Sequence, residues 1–185
     1  MNLCGIMRWA YSSLLEKKRN RYIQGLIAKG LKLGRDVEII DSFFFDPSHC
    51  FLISIGDNCT ICPNVRLIAH DASTKKFLGY TKIARIDIKE NCFIGDSTIV
   101  LPGVTIGPNV VIGTGSVLAR DIPAGFVAVE NPSRPIKTLH EYLDRIRAIR
   151  ERKGLFSENY SIERLNESKR MEILVSIGNT IGFIV

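Results

Sequence analysis

Two side chains capable of acid–base chemistry, His70 and Asp71, stand where a regular repeat gives way to an irregular stretch, residues 71–86. Histidine suits a general base, because its ordinary pKa near neutrality lets it take a proton from a hydroxyl or an amine at physiological pH. Asp71 follows His70 directly, so in a strand the two side chains point to opposite faces and Asp71 is not expected to orient the imidazole within one subunit. Asp71 stays a candidate for contacting the acceptor or for an orienting role. We therefore take His70 as the first candidate for proton transfer.

The repeat that the irregular stretch interrupts has a period of six residues and is clearest over residues 88–123. A glycine follows the first position in three hexads, and the fifth position is small or β-branched in almost every case. This period fits neither an α-helix nor a hairpin. It predicts a parallel β-helix in which three hexads close one coil, the first residue fills the axis, and glycine or Asn/Asp serves corners that need a positive φ. The first positions are all aliphatic: Ile88, Ile94, Val100, Ile106, Ile112 and Leu118.

The same register continues upstream, but it is broken twice. Leu33 and Ile39 predict a further first position at Phe45, whereas Ile55 counts back to His49, so about four residues are inserted in FFFDPSHC. Leu67 and Ile88 are 21 residues apart, which is not a multiple of six, so a loop protrudes within residues 71–86. A solenoid accepts insertions at its corners, and insertions commonly line the binding face.

The first insertion carries two further candidates, Asp46 and His49, about one coil below His70. Both could therefore reach the same cleft as His70. Asp46 could orient the His70 imidazole, and His49 could contact an acceptor or act as an alternative base.

Helices are expected on both sides of the coils. Residues 6–29 predict one helix, whose apolar positions are Leu14, Leu15, Tyr22, Ile23, Leu26 and Ile27. After NPSRP a second is predicted by the helical spacing of Ile136, Leu139, Leu143 and Ile146, to about Arg152, ending near Gly154. A short helix over residues 161–175 and a terminal strand in IGNTIGFIV are expected to follow. We predict an all-β fold with helical ends: an N-terminal helix (1–30), a β-helix (31–133, loop 71–86) and a C-terminal helical extension (134–185), the ends covering the open coils.

Charge and composition limit the classes of molecule that the protein is expected to bind. Between Arg8 and Arg35 there are eight Lys or Arg and one acid, Glu16, which suits a solvated helix face, phosphates or anionic lipid headgroups. Stacking aromatics are not interleaved with these charges, so nucleic acid is not expected. No apolar stretch approaches the length that a membrane span needs, and the N-terminus makes a poor signal peptide. The chain has five cysteines, an odd number that cannot all pair in disulfides within one chain. A cytoplasmic protein with reduced thiols is the simplest interpretation.

The hexads and the HDAST segment resemble the hexapeptide-repeat acyltransferases, a left-handed β-helix family. The resemblance is to the branch of maltose, galactoside and polysaccharide O-acetyltransferases and covers roughly residues 30–140. It implies a homotrimer with active sites between subunits, acetyl-CoA as cosubstrate, and a histidine at the base of the loop as general base. The matching residue is His70.

The same resemblance implies contacts to CoA. Arg134 and Lys137 match basic positions that meet the 3′-phosphate end of CoA, and Arg120 stands where the family usually has lysine. Glu130 stands where the family usually has glycine, and an anion there could crowd or repel the cofactor. Further matches are Gly113, Thr114 and Gly115, whose backbone would line the pantetheine groove, and Phe93, where relatives often carry an aromatic over the site.

A metal site is not predicted. Cys59 and Cys62 lack a second pair, and their hexad positions indicate packing. A γ-class carbonic anhydrase shares the fold but needs three zinc-binding histidines at the subunit interface, and the third histidine here, His140, falls in a predicted helix.

We therefore expect a cytoplasmic acetyl-CoA-dependent O-acetyltransferase that modifies a hydroxyl of a sugar or sugar-containing precursor by direct transfer, with His70 as base. Three alternatives stay open: a non-catalytic β-helix scaffold, an N-acetyltransferase acting on an amino sugar, and a metal enzyme of the carbonic anhydrase kind. The basic N-terminal helix could in addition contact a membrane surface.

Overall fold

The strands are short and follow the hexads. The computed structural model describes residues 3–153 and 155–184, and describes side chains for residues 14–152 and 155–184. In chain order the strands are β1 (Lys32–Leu33), β2 (Glu38–Ile39), β3 (Phe44–Phe45), β4 (Ile53–Ile55), β5 (Thr60–Ile61), β6 (Arg66–Leu67), β7 (His70–Asp71), β8 (Lys82–Ile83), β9 (Ile86–Ile88), β10 (Phe93–Ile94), β11 (Ile99–Val100), β12 (Thr105–Ile106), β13 (Val111–Ile112), β14 (Val117–Leu118), β15 (Phe126–Val129) and β16 (Arg134–Thr138).

Successive coils stack their strands into three sheets, one for each face of a prism. The sheet orders are β1-β4-β9-β12, β2-β5-β10-β13-β15-β16 and β3-β6-β11-β14. Every pairing in them is parallel except β15 with β16, and a separate antiparallel pair, β7 with β8, stands outside them. The predicted parallel β-helix is confirmed.

The first residue of each hexad forms the core, as predicted. In one sheet Phe45, Leu67, Val100 and Leu118 lie in register and all four are fully buried. The small fifth residues are buried beside them, including Cys59, Cys92, Thr98, Val104, Val110 and Ser116. Each coil therefore adds one layer of apolar side chains to a continuous axis.

Asn and Asp occupy corners with a positive φ, as expected, but the glycines after the first position have another purpose. The corners that need a positive φ are occupied mainly by polar residues, among them Asn58 (φ 53°), Asn91 (φ 56°) and Asn109 (φ 57°), whose side-chain amides also form a hydrogen-bonded ladder. The glycines that follow the first position do not have a positive φ. Gly95 instead lies against the next coil, where an added Cβ would be 2.6 Å from the Thr114 backbone nitrogen. Close approach of neighbouring coils is the reason for glycine there.

The N-terminal helix, α1 (Leu3–Ala28), ends against the first coil. Of its six predicted apolar positions only Ile23 and Leu26 are buried, and both belong to the core. The Tyr22 and Phe43 rings are 5.7 Å apart, which brings the helix to the first coil. The remaining predicted positions, Leu14, Leu15, Tyr22 and Ile27, are exposed, so the helix has a narrower apolar face than its sequence indicates.

The chain divides into two units, the second starting at His140. The helices of the second unit are α3 (Leu139–Lys153) and α4 (Glu167–Ile177). The first residue of α3, Leu139, is the last residue of the first unit. A short helix in the loop, α2 (Lys75–Leu78), belongs to the first unit. Among the described residues, none of the helices is both long and apolar enough to cross a bilayer.

Three predictions for the C-terminal part differ in detail from the structure. Ile136 is in β16, not in a helix, because residues 134–138 pair antiparallel with β15. The helix predicted over residues 161–175 begins only at Glu167, where the Asn166 side chain accepts a hydrogen bond from the Lys169 backbone N–H, after two 3-10 turns. The terminal strand is reduced to a single bridge between Phe156 and Ile184. The predicted helix end near Gly154 lies outside the described residues.

Candidate active site

Both insertions leave the prism at the same edge, directly after neighbouring strands. Phe45 of β3 pairs in register with Leu67 of β6. Asp46 follows β3 and its backbone N–H donates to the Leu67 carbonyl oxygen at 2.9 Å, while His70 lies three residues after Leu67. The stacking of two coils therefore brings residues 24 positions apart side by side.

Asp46, His49 and His70 form one cluster. The Oδ2 atom of Asp46 is hydrogen-bonded to Nδ1 of His70 and lies 3.4 Å from Nδ1 of His49. The two imidazole rings are 4.9 Å apart between centroids. The Asp46 side chain is essentially buried, whereas about a third of the His70 side chain and a quarter of the His49 side chain are exposed.

Asp46 is held as a carboxylate. Burial alone would raise the pKa of Asp46, but the hydrogen bond to His70, the charge of an imidazolium and the backbone N–H of Ser48 together keep the pKa below its ordinary value. A carboxylate only accepts hydrogen bonds, so the proton between the two side chains belongs to Nδ1 of His70. The neutral ring then carries its lone pair on Nε2, the nitrogen that a base needs.

His49 has an unmet hydrogen-bonding group. Its Nδ1 atom is buried and has no hydrogen-bond partner. One ligand atom from each of Asp46, His49 and His70 lies within 4.8 Å of the others, so these three side chains could together hold a metal ion. The cluster is thus able to share protons or to bind a cation.

Asp71 turns away from this cluster. Its carboxylate accepts from the Ser73 backbone N–H at 2.9 Å and pairs with Lys82 at 2.9 Å across the β7–β8 hairpin. Hydrogen bonds from Ser73 and Lys82 hold the pKa of Asp71 well below its ordinary value. Asp71 therefore stabilises the base of the protruding loop, whose tip exposes Phe77 and Tyr80.

The predicted CoA-binding residues lie at the other end of the prism. Arg120 and Arg134 line a cavity of about 400 Å³ with Glu130, Asn131 and Ser133. Ser133 has a buried Oγ atom without a hydrogen-bond partner. Lys137 is a half-buried residue of β16 and is not among the lining residues of this cavity.

Of the remaining predicted residues, three follow β13 and one, Phe93, lies in β10. Gly113 packs against Val129, whose Cγ1 atom would be 2.7 Å from an added Cβ. Thr114 follows it, and Gly115 has a positive φ of 72° and donates its N–H to the backbone carbonyl oxygen of Asp96 at 2.8 Å. Phe93 is exposed on β10, in a different sheet from the strands that precede Asp46 and His70.

Sequence reasoning missed Lys82, Asn131 and Ser133. Lys82 lies in the irregular loop, where no repeat predicts a partner for Asp71. Asn131 and Ser133 belong to the NPSRP segment, in which the family resemblance points to Arg134 alone. The available signal for Ser133 was a polar residue between Pro132 and Pro135, in a segment where such turns expose or bury single side chains by their backbone geometry rather than by a repeat.

The chain is similar to acetyltransferases built from hexapeptide repeats. The family model for the bacterial transferase hexapeptide (six repeats) matches residues 85–120. Protein CapG of Staphylococcus aureus is 37% identical over 135 residues, which cover 70% of this chain and 78% of that protein. The chain spans about half the length of two others: a putative acetyltransferase of Schizosaccharomyces pombe (39% identity, 57% of this chain, 55% of that protein) and galactoside O-acetyltransferase of Escherichia coli (38%, 49% and 46%).

A solved structure supports the fold. A hexapeptide-repeat acetyltransferase of Vibrio cholerae, crystallised with acetyl coenzyme A, superimposes with a TM-score of 0.50 at 21% identity. The match covers 66% of this chain and 78% of that one.

Proposed function

The chain belongs to the hexapeptide-repeat acetyltransferase family of left-handed β-helix proteins, and we propose that it transfers an acetyl group from acetyl-CoA to a hydroxyl of a sugar or sugar-containing precursor. The observation that carries this proposal is the hydrogen bond between Nδ1 of the half-buried His70 and the ionised, buried Asp46. It leaves Nε2 of His70 as a proton acceptor at the base of the protruding loop.

In the proposed reaction Nε2 of His70 takes the hydroxyl proton while the hydroxyl oxygen attacks the thioester carbonyl carbon. The tetrahedral intermediate then collapses, the C–S bond breaks, and the same proton passes from Nε2 to the departing sulfur. The products are an acetyl ester and the free thiol of CoA. The Asp46 carboxylate holds the ring and stabilises the imidazolium between the two steps. Because both substrates are bound side by side, no covalent enzyme intermediate is needed.

For the cosubstrate we propose that Arg120 and Arg134 meet phosphate groups of CoA, with Lys137 near the same end. Guanidinium groups form charge-assisted hydrogen bonds with phosphate oxygens, and both arginines already face one cavity. The backbone of Gly113–Gly115 would line the pantetheine arm, and Phe93 would cover the site.

The proposal of a sugar acceptor is supported by the name of one relative, a galactoside O-acetyltransferase. We propose that His49 contacts this acceptor, since its side chain is partly exposed beside His70. We further propose a cytoplasmic homotrimer whose sites lie between subunits. The basic face of α1, which includes the exposed Lys17, Lys18 and Arg21, would touch an anionic membrane surface.

The test is an assay of thiol release from acetyl-CoA against a panel of sugars, sugar nucleotides and amines. We expect release that depends on a hydroxyl acceptor and produces an O-acetyl ester. Release that depends only on amines would favour N-acetyl transfer instead. No release with any acceptor, together with no heat on titration with CoA, would contradict the proposal and leave the scaffold interpretation.

Asp46→Asn should lower kcat by about 10- to 100-fold with little change in KM for acetyl-CoA. The amide keeps the volume but cannot hold the imidazole in one tautomer or balance its charge. The matched control is Asp57→Asn, which removes a carboxylate bonded to Arg35 outside the cluster and should leave kcat unchanged. Equal kcat values for the two variants would show that Asp46 does not support catalysis.

A second candidate, metal-dependent chemistry, is favoured by the ligand-like grouping of Asp46, His49 and His70. Metal analysis of the purified protein distinguishes it from the first. We expect less than one metal ion per chain and thiol release that persists in excess chelator. Stoichiometric zinc, lost together with activity on chelation and restored with it, would favour the metal enzyme.

A further inference from the structure

Glu130 has an unfavourable backbone conformation. Its φ is 83°, in the left-handed region that residues with a side chain seldom adopt. Hydrogen bonds anchor the turn to β14: the Val117 N–H donates to the Glu130 carbonyl at 3.2 Å, and the Ser133 N–H donates to the Val117 carbonyl at 2.8 Å. Glycine would adopt this conformation without strain, so a glutamate here points to a functional role for its side chain.

The Glu130 carboxylate forms an ion pair with Arg134, the cation that we propose binds a phosphate of the cosubstrate. Its Oε2 accepts from Nε of Arg134 at 2.7 Å and lies 2.7 Å from Nη2 of the same guanidinium. This is the edge of Arg134 with which a phosphate would form paired hydrogen bonds. Arg120, Asn131 and the unpartnered Ser133 Oγ line the same cavity, so Glu130 supplies the one negative charge among its lining residues.

We propose that Glu130 sets the affinity and selectivity for CoA by competing with its terminal phosphate for Arg134. The carboxylate pairs with Arg134 when the site is empty, and the phosphate must displace it to bind. This inference rests on the proposed function, because it takes CoA as the ligand of Arg134. Both partners are largely exposed, with side-chain exposures of 49% for Glu130 and 72% for Arg134, so the pair is weak enough to open.

The expected consequence is that removing the charge of Glu130 tightens CoA binding. The cost of breaking the pair disappears, and so does the repulsion between the carboxylate and the phosphate. For an exposed pair these effects amount to about a three- to tenfold change in Kd. Dephospho-CoA lacks the 3′-phosphate, so its affinity should change by less than about twofold.

The experiment is calorimetric titration of CoA and dephospho-CoA into wild type, Glu130→Gln and Glu130→Gly. Glu130→Gln keeps the side-chain volume, and Glu130→Gly also relieves the left-handed backbone, so one of them should fold even if the other does not. Glu16→Gln on α1 removes the same charge from an exposed position outside the cavity and should leave both affinities unchanged. In an Arg134→Ala background, Glu130→Gln should no longer have an effect.

Tighter CoA binding without tighter dephospho-CoA binding, absent in the Arg134→Ala background, would support the proposal. Unchanged or weaker CoA binding in both variants would overturn it while leaving the proposed function intact, provided that wild type binds CoA. Equal tightening of both ligands would also overturn it, since the phosphate would then not be the competitor. Failure of wild type and both variants to bind CoA would overturn the proposed function as well.

Discussion

Replacing His70 by alanine should lower kcat for acetyl transfer by about 10²- to 10⁴-fold, the usual contribution of a positioned general base. The hydroxyl of an acceptor is a poor nucleophile at neutral pH, and Nε2 of His70 is the proton acceptor that we propose, with Nδ1 of the same ring hydrogen-bonded to the buried Asp46 carboxylate. KM for acetyl-CoA should change little, because His70 is not proposed to bind the cofactor. Initial rates of thiol release with saturating acceptor measure the effect.

His140→Ala is the matched control. The His140 side chain is exposed and paired with Asp144 within α3, so its loss should leave the rate unchanged. His70 is partly exposed at the edge of the prism, so its replacement should not change the unfolding midpoint appreciably. A rate for His70→Ala within a factor of three of wild type would contradict the assignment, and His49→Ala would then identify the alternative base.

Gly95→Ala should destabilise the protein by about 3 kcal/mol, the upper part of the range for overpacked cores. The new Cβ would lie 2.6 Å from the Thr114 nitrogen and 2.7 Å from the Ile112 carbonyl oxygen. Both are backbone atoms of the next coil and cannot swing aside as a flexible side chain can. The coils must therefore separate, which weakens the hydrogen bond from the Gly95 N–H to the Ile112 carbonyl.

The control for this variant is Gly25→Ala in α1, where nothing lies within 4 Å of an added Cβ. Alanine is the better helix former, so this change should stabilise by up to about 1 kcal/mol. Urea unfolding at a fixed protein concentration compares the two, since subunit assembly would make the midpoint concentration-dependent. Equal midpoints for Gly95→Ala and wild type would show that the coils tolerate a side chain at this position.

The six-residue period was enough to predict the fold, because every coil of a solenoid packs the same positions of its repeat into the core. Once the period was recognised, the aliphatic residues at its first position, such as Val100 and Leu118, could be assigned to the core along the axis. The reason for Gly95 was missed, because a repeat shows that glycine recurs but not whether φ or close approach requires it. Ile136 was misassigned because apolar spacing does not reveal that residues 134–138 return to pair with β15.

The site was partly accessible from the sequence. Counting coils placed Asp46 about one coil below His70, and in the structure the two side chains are hydrogen-bonded. The pairing of Asp71 with Lys82 could not be predicted, because it depends on how the loop folds back as a hairpin and the loop sequence does not repeat. The Glu130–Arg134 contact depends on a left-handed turn at a residue that is not glycine, a conformation that local sequence preferences would not favour.

The most direct test of the central claim is mass spectrometry of the acceptor and of the protein after single turnover with isotopically labelled acetyl-CoA. Direct transfer by His70 predicts one labelled acetyl ester on the acceptor for each thiol released, no label on the protein, and loss of product in His70→Ala. Label on a protein side chain, or product formed equally by His70→Ala, would contradict the account.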